Sequence, residues 1–134
     1  MKIMPPVQKF MTYLVKTIDV NQSVSQANDL MRKLHLRYLP ITKAGALVGV
    51  LTDKEVHMIL SLKGHDSSDM KIEDFYSNDF LKFSPETLMD EVLSNMIEKR
   101  ASCAIVIENE KLIGVFSEMD AYKRLLDFLQ SNAS

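Results

Sequence analysis

The stretch Gly49-Val50-Leu51-Thr52-Asp53-Lys54-Glu55 returns 65 residues later as Gly114-Val115-Phe116-Ser117-Glu118-Met119-Asp120. Residue types agree at every position except the two between the hydroxyl and the acid. The same offset, without a gap, carries Val24 onto Met89, Ala27 onto Val92, Met31 onto Met96, Ile41 onto Val106 and Leu47 onto Leu112. A register held that far implies a duplicated unit, and the search for repeats therefore decides the architecture before any element is assigned.

Each copy reads alike. A short extended piece (Val15 to Ile18; Phe80 to Phe83) closes in a turn (Asp19 to Gln22; Ser84-Pro85-Glu86). A helix follows. In the first copy Ser23 is the expected N-cap, with Val24, Ala27, Leu30, Met31 and Leu34 at helical spacing. In the second, Thr87 is the expected cap, and Met89, Val92, Leu93, Met96 and Ile97 form the stripe. Two strands come next, Tyr38 to Thr42 and Leu47 to Leu51, turning at Lys43-Ala44-Gly45. Their equivalents are Cys103 to Ile107 and Leu112 to Phe116, turning at Asn109. A second helix starts after Thr52 and after Ser117, where a hydroxyl can cap free backbone N–H groups.

The expected fold is thus α/β (α+β): two pseudo-symmetric β-α-β-β-α repeats packed through their sheets. One such module fills residues 1–134, with repeat one at about 7–62, a linker at about 63–70 and repeat two at about 71–130. Three strands with two helices leave one sheet face uncovered, and pairing the repeats would bury it. The segments Val7-Gln8-Lys9-Phe10-Met11 and Lys71-Ile72-Glu73-Asp74-Phe75 occupy matching positions and read as short helices, each leading into a repeat.

Composition narrows the function classes. Of 134 residues, 46% are hydrophobic and 25% charged, ordinary for a globular domain, and the formal net charge is -2. No dense basic run offers a grip on nucleic acid or an acidic membrane. No segment approaches membrane-spanning length, so no membrane insertion is expected. Cys103 is the single cysteine; with no thiol to pair with, it fits a reducing, cytoplasmic setting and reads as core packing. The nine methionines read as gap-fillers in packed helices. His35, His57 and His65 are scattered without metal-ligand spacing and read as solvated. Neither a nucleophile triad, a paired-carboxylate motif nor a phosphate-binding glycine loop appears. The two repeats take up the chain, and it reads as no enzyme.

The pattern of glycine, aliphatic, any residue, Thr or Ser, two residues and an acid, closing a strand-strand-helix unit, resembles the CBS domain signature. Val15-Lys16-Thr17-Ile18 before a turn and Leu39-Pro40-Ile41 in the second strand support it. The resemblance spans about residues 5 to 130 in both copies. It implies a CBS pair (Bateman module) with two clefts between the repeats, a ligand among AMP, ADP and ATP or S-adenosylmethionine, and no required cofactor. It implies further a homodimer built through the helices, and signalling to an effector protein encoded elsewhere.

By the same resemblance Asp120 would accept both ribose hydroxyls, as a carboxylate can, with Ser117 beside ribose and phosphate. Thr17 would complete that half-site, Leu36, Arg37 and Tyr38 would supply backbone contacts to adenine, and Arg37 would reach phosphate. The mirror cleft is weaker: its acid is Glu55, one methylene longer than the usual Asp, Lys82 stands where a Thr is usual, and Thr52 keeps the hydroxyl. A plainer account competes. Ser117 and Thr52 can be helix caps alone, and Asp120 and Glu55 first-turn acids favoured by the helix dipole. Arg37 and Lys82 can be solvated charges. Glu55 and Lys82 also motivate the alternative of a ligand-independent dimerisation module with degenerate clefts. The run Tyr122, Leu125, Leu126, Leu129 reads as either core or dimer contact.

Overall fold

The computed structural model describes residues 3–13, 16–63 and 70–132. Val15, most of the expected linker and His65 lie outside the described residues. In chain order the elements are β1 (Thr12–Tyr13), β2 (Ile18–Asp19), α1 (Val24–Leu34), β3 (Tyr38–Lys43), β4 (Ala46–Thr52) and α2 (Asp53–Lys63). The second half supplies β5 (Leu81–Phe83), α3 (Met89–Lys99), β6 (Cys103–Glu108), β7 (Lys111–Ser117) and α4 (Glu118–Asn132). Single 3₁₀ turns at Val7–Lys9 and Ile72–Asp74 precede β1 and β5. The class is α+β, and the strand-helix-strand-strand-helix order occurs twice.

Two compact units result, Lys16–Phe80 and a second comprising Leu81–Ser134 with Met1–Val15. In the first, strands run in the order β2-β3-β4; in the second, β1-β7-β6-β5. In both, a parallel pair (β2 with β3, β5 with β6) adjoins an antiparallel hairpin. The duplication extends to detail: each hairpin shifts register at matching places, Ile41/Thr42 and Val106/Ile107. Each hairpin also turns on two residues of positive φ, Ala44 and Gly45 at 52° and 83°, Asn109 and Glu110 at 52° and 65°. Two left-handed residues in a row match the twist of the flanking strands.

The leading segments differ from the expectation. Each one packs in the unit of the other repeat. Val7 N–H donates to Thr87 O (2.8 Å) and Met89 N–H to Pro5 O (2.9 Å), so the amino-terminal segment braces the start of α3. Likewise Val24 N–H donates to Met70 O (2.8 Å) and Ile72 N–H to Gln22 O (3.0 Å), bracing α1. The reason is burial: Val7 and Ile72 are each wholly enclosed, one in each core.

Helix starts follow local chemistry. Ser23 caps α1 in a reciprocal box, its Oγ accepting from Gln26 N–H (3.0 Å) while Gln26 Oε1 accepts from Ser23 N–H (2.8 Å). Thr87 does not cap α3; Leu88 holds that place without a side-chain bond, and Thr87 Oγ1 lies 3.0 Å from Ser84 Oγ inside the preceding turn. Cores of Val24, Ala27, Met31, Leu39, Ile41, Leu51 and Val56, and of Val92, Met96, Ala104, Val106 and Phe116, hold the two units. Each fully buried Leu, Ile or Phe contributes about 1.5–3 kcal/mol. Methionine fills gaps at positions 11, 31, 70, 89 and 96, whereas Met4, Met58 and Met119 are exposed. Cys103 is half-buried, directly opposite Ser117. α4 has no buried residue, and its stripe Tyr122, Leu125, Leu126, Leu129 is exposed; of the two readings, core is ruled out.

Candidate functional site

Ser117 ends β7 and Asp120 stands three residues on, in the first turn of α4. Asp120 Oδ2 accepts from Ser117 N–H (2.9 Å) and from Ser117 Oγ–H (3.1 Å), while Ser117 Oγ accepts from Asp120 N–H (3.2 Å). The hydroxyl-x-x-acid spacing is therefore a capping box, satisfying N–H groups that the helix cannot. Its twin is Thr52 with Glu55: Glu55 Oε1 accepts from Thr52 N–H (3.0 Å) and Oγ1–H (2.9 Å), and Thr52 Oγ1 accepts from Glu55 N–H (3.2 Å). The capping half of the plainer account thus holds at both places. It leaves acceptor capacity over, since a carboxylate offers about four lone-pair sites.

The two boxes differ in one contact. Thr12 Oγ1–H donates to the other oxygen of Asp120, Oδ1, at 3.3 Å. Thr12 lies on β1, opposite Val115 of β7, and was not among the residues expected from sequence. A faint signal existed: Ser77 also carries a hydroxyl at the matching position. Ser77 does cross the sheet edge, bridging Val50, but its Oγ accepts from Asp79 N–H instead.

The signature glycines admit these crossing segments. A Cβ on Gly49 would lie 2.6 Å from both Ser77 O and Tyr76 Cδ2; on Gly114, 2.8 Å from Thr12 O and Met11 Sδ. The glycine is needed for close backbone approach, and neither has a positive φ.

The remaining expected residues divide between the units. Thr17, Leu36, Arg37, Tyr38, Thr52 and Glu55 belong to Lys16–Phe80; Lys82, Ser117 and Asp120 to the other unit. Tyr38 pairs across the hairpin with Thr52, and Asp53 N–H donates to Arg37 O (3.0 Å), so Arg37, Tyr38, Thr52 and Glu55 are gathered at the start of α2. Thr17 precedes β2, on the far side of β3 from β4, and is not joined to that group. Lys82 on β5 is similarly separated by β6 from Ser117 and Asp120 on the β7 side. Leu36 and Arg37 line a hollow of about 480 Å³ together with Arg32, His35, Asp53 and His57. His35 and His57 are exposed, as expected, but they share this hollow instead of standing apart. Among the described residues no group of three or more metal-ligating side chains occurs, and no helix is long and apolar enough to cross a membrane.

The CBS domain family model matches residues 7–61 and again 72–127. The chain belongs to the CBS domain family. It is similar to the CBS domain-containing protein YhcV of Bacillus subtilis, at 22% identity over 84% of this chain and 79% of that one. An inosine-5'-monophosphate dehydrogenase of Korarchaeum cryptofilum is 25% identical over 87% of this chain, a match that takes in only 24% of the enzyme. Among solved structures, the CBS domain pair of protein MJ0100, in complex with 5'-methylthioadenosine and S-adenosyl-L-methionine, superposes with a TM-score of 0.83. It is 19% identical and covers 94% of this chain and 99% of that one. That likeness shows the fold: this chain is a CBS pair, two repeats in tandem.

Proposed function

We propose that this CBS pair is a non-catalytic regulatory module that binds an adenosyl ligand and thereby alters how a partner protein engages it. The observation that carries the reading is the carboxylate of Asp120, set at the head of α4 with hydroxyls on both its oxygens. A carboxylate fixed at Oδ2 by the cap keeps Oδ1 for a ligand, where the neutral Thr12 donor can give way to the hydroxyls of a ribose. The ligand complex of protein MJ0100 supports the adenosyl class. Thr17, Leu36, Arg37 and Tyr38 complete the proposed site with Ser117 and Asp120; Thr52, Glu55 and Lys82 form the weaker one. AMP, ADP, ATP and S-adenosylmethionine share the adenosyl group and are the ligands to try.

A melting-shift panel with those four compounds tests the reading. Ligand at 100 times its dissociation constant adds about 2.7 kcal/mol of stability. Asp120→Asn keeps an oxygen for the cap and loses the charge, so it should abolish the ligand-dependent shift while leaving the free protein folded. No shift in the wild type with any of the four refutes the proposal. The exposed apolar stripe of α4 favours a homodimer as the assembled form, with the two-fold symmetry usual for such pairs. Should ligands fail while dimerisation holds, the module is a ligand-independent assembly device.

A further inference from the structure

α2 and α4 hold the same place in the duplicated unit, 65 residues apart, yet they use their apolar side chains in opposite ways. α2 packs along α1 and sinks Val56 and Ile59 into its core. The matching places on α4 are Ala121 and Arg124. Ala121 is half-buried, and the Arg124 guanidinium lies 4.4 Å from the centroid of the Phe10 ring, with Nη2–H donating to Lys9 O at 3.4 Å. Phe10 and Lys9 belong to the same unit as α4, so this helix is held to its own body by a small residue and a cation. Its large side chains go elsewhere: Met119, Tyr122, Leu125, Leu126, Phe128 and Leu129 are between 38% and 62% exposed.

Four of these, Met119, Tyr122, Leu126 and Leu129, follow one another at intervals of three, four and three residues, the spacing of a helix-pairing seam. At about 100° per residue they lie roughly 140–220° round the helix from Arg124, on the side away from the body. In the register of 65 residues the first repeat has Lys54, His57, Ser61 and Gly64 at those places. α2 does expose Met58 and Leu62, but these match Lys123 and Asp127 on another face of the helix. The seam therefore belongs to the second repeat alone. The unit folds without one, so the seam answers to something outside the fold.

We infer that α4 pairs antiparallel with α4 of a second copy through this seam, and that α2 takes no part in the contact. This rests on the homodimer proposed above and names its face and direction. The area suffices. A whole aromatic side chain buries about 150–250 Å², so half-exposed side chains of this size offer roughly 100 Å² each. Six make about 600 Å² per copy and about 1,200 Å² for the pair, the lower end of specific interfaces. A second copy brings an equal apolar surface by construction. Spacing and flanks choose the direction. Intervals of three, four and three read the same reversed, so Met119 meets the partner's Leu129 and Tyr122 meets the partner's Leu126, leaving no seam residue over. One flank of the seam carries Leu125, with Phe128 beyond it; the other carries Lys123, Asp127 and Gln130. A parallel pair would set each apolar flank against a polar one. An antiparallel pair about a two-fold axis sets each flank against its own copy. Leu125 then meets the partner's Leu125, while Lys123 stands between the partner's Lys123 and the partner's Asp127, a near balance of charge.

Cysteine pairing tests this on the whole chain carrying Cys103→Ser, which removes the single native thiol. Like residues at either end of the seam are about 15 Å apart in an antiparallel pair, beyond the reach of a disulfide. Met119→Cys and Leu129→Cys should therefore each fail to link alone under mild oxidation, and should link to one another once the two variants are mixed and subunits exchange. Met58→Cys and Leu62→Cys on α2 should not link. A second measurement avoids cysteine. Leu125→Lys and Leu125→Glu should each self-associate about 10-fold more weakly than wild type in sedimentation, since like charges meet at the axis, and an equimolar mixture of the two should recover the association. Self-linking of Met119→Cys or Leu129→Cys means a parallel pair and overturns the inference, as does a Leu125 mixture that recovers nothing. Linking through Met58→Cys or Leu62→Cys overturns it too and leaves the proposed homodimer standing. A wild type that is monomeric at micromolar concentration overturns both. The melting-shift panel is read separately, so the adenosyl reading stands or falls apart from either.

Discussion

Replacing Gly49 by alanine places a methyl carbon 2.6 Å from the backbone oxygen of Ser77 and from the ring of Tyr76. Ordinary contact begins at 3.4 Å, so the crossing segment must retreat by roughly 0.8 Å, and the bridge between Val50 and Ser77 stands beside it. Overpacking of this kind costs about 1–3 kcal/mol, or roughly 4–10 °C in melting temperature for a chain of this size. Gly114→Ala should cost less. Its two close neighbours are Thr12 O and Met11 Sδ at 2.8 Å, and the thioether can swing aside. Gly45 supplies the contrast. Its φ is +83° with nothing within 4 Å of an added Cβ, so alanine there meets backbone strain alone, about 1–2 kcal/mol. Asparagine tolerates the left-handed region and should recover most of the loss at position 45. At position 49 it should be worse than alanine, because the larger side chain deepens the clash. Urea unfolding of the five variants, with thermal melts, measures the set. Wild-type stability in Gly49→Ala, or an equal rescue by asparagine at both sites, would refute the close-approach account of the signature glycine.

Two further outcomes are expected. Tyr122 Oη–H donates to Glu118 Oε2 at 3.0 Å; that bond, then the carboxylate's charge and last desolvation raise the phenol's pKa above its ordinary value of 10.0. The raised value favours the neutral phenol in the folded state, so the contribution is present below the unfolded pKa and is lost as pH rises through the folded one. Glu118→Gln should move the phenolate absorbance transition to lower pH, and an unmoved transition would show that the carboxylate does not act on it. Separately, Leu126→Glu with Leu129→Glu should convert a dimer to monomers in sedimentation while leaving the fold's circular dichroism intact, since both side chains are exposed. A wild-type chain that sediments as a monomer at micromolar concentration would remove α4 as the contact face.

The sequence made the duplication legible because the repeat is ungapped and its glycine, hydroxyl and acid recur together. From it the helices, hairpins and turns could be placed within a residue or two. Thr87 was misleading because a hydroxyl beside a helix start looks like a cap, whereas the neighbouring Ser84 lies 3.0 Å from it. The exchange of leading segments was invisible because Val7 and Ile72 are chemically alike. Either core could take either one, and nothing local records which it enters. The hollow under α1 and α2 escaped notice for a related reason: Arg32, His35, Arg37 and His57 are separated in the chain, and only the helix packing brings them together.

Capping and recognition are hard to separate when one motif can do both. The boxes at Thr52–Glu55 and Ser117–Asp120 satisfy the same N–H groups with the same geometry, so the presence of an acid there says nothing by itself about a ribose. What distinguishes the second box is the other carboxylate oxygen. Glu55 Oε1 receives both Thr52 donors, and the hydroxyl that would correspond to Thr12 is the one on Ser77, turned to Asp79. At Asp120 the far oxygen has a hydroxyl aimed at it across the sheet edge from β1. Of the carboxylate the cap uses Oδ2 alone, which takes both Ser117 donors, while its remaining bond runs from Asp120 N–H to Ser117 Oγ. An oxygen that the helix does not use, fixed by a neutral donor at the long distance of 3.3 Å, is one that a ligand hydroxyl can claim at little cost to the fold. That is why the difference between the two capping boxes is read at Thr12 as much as at the acid itself.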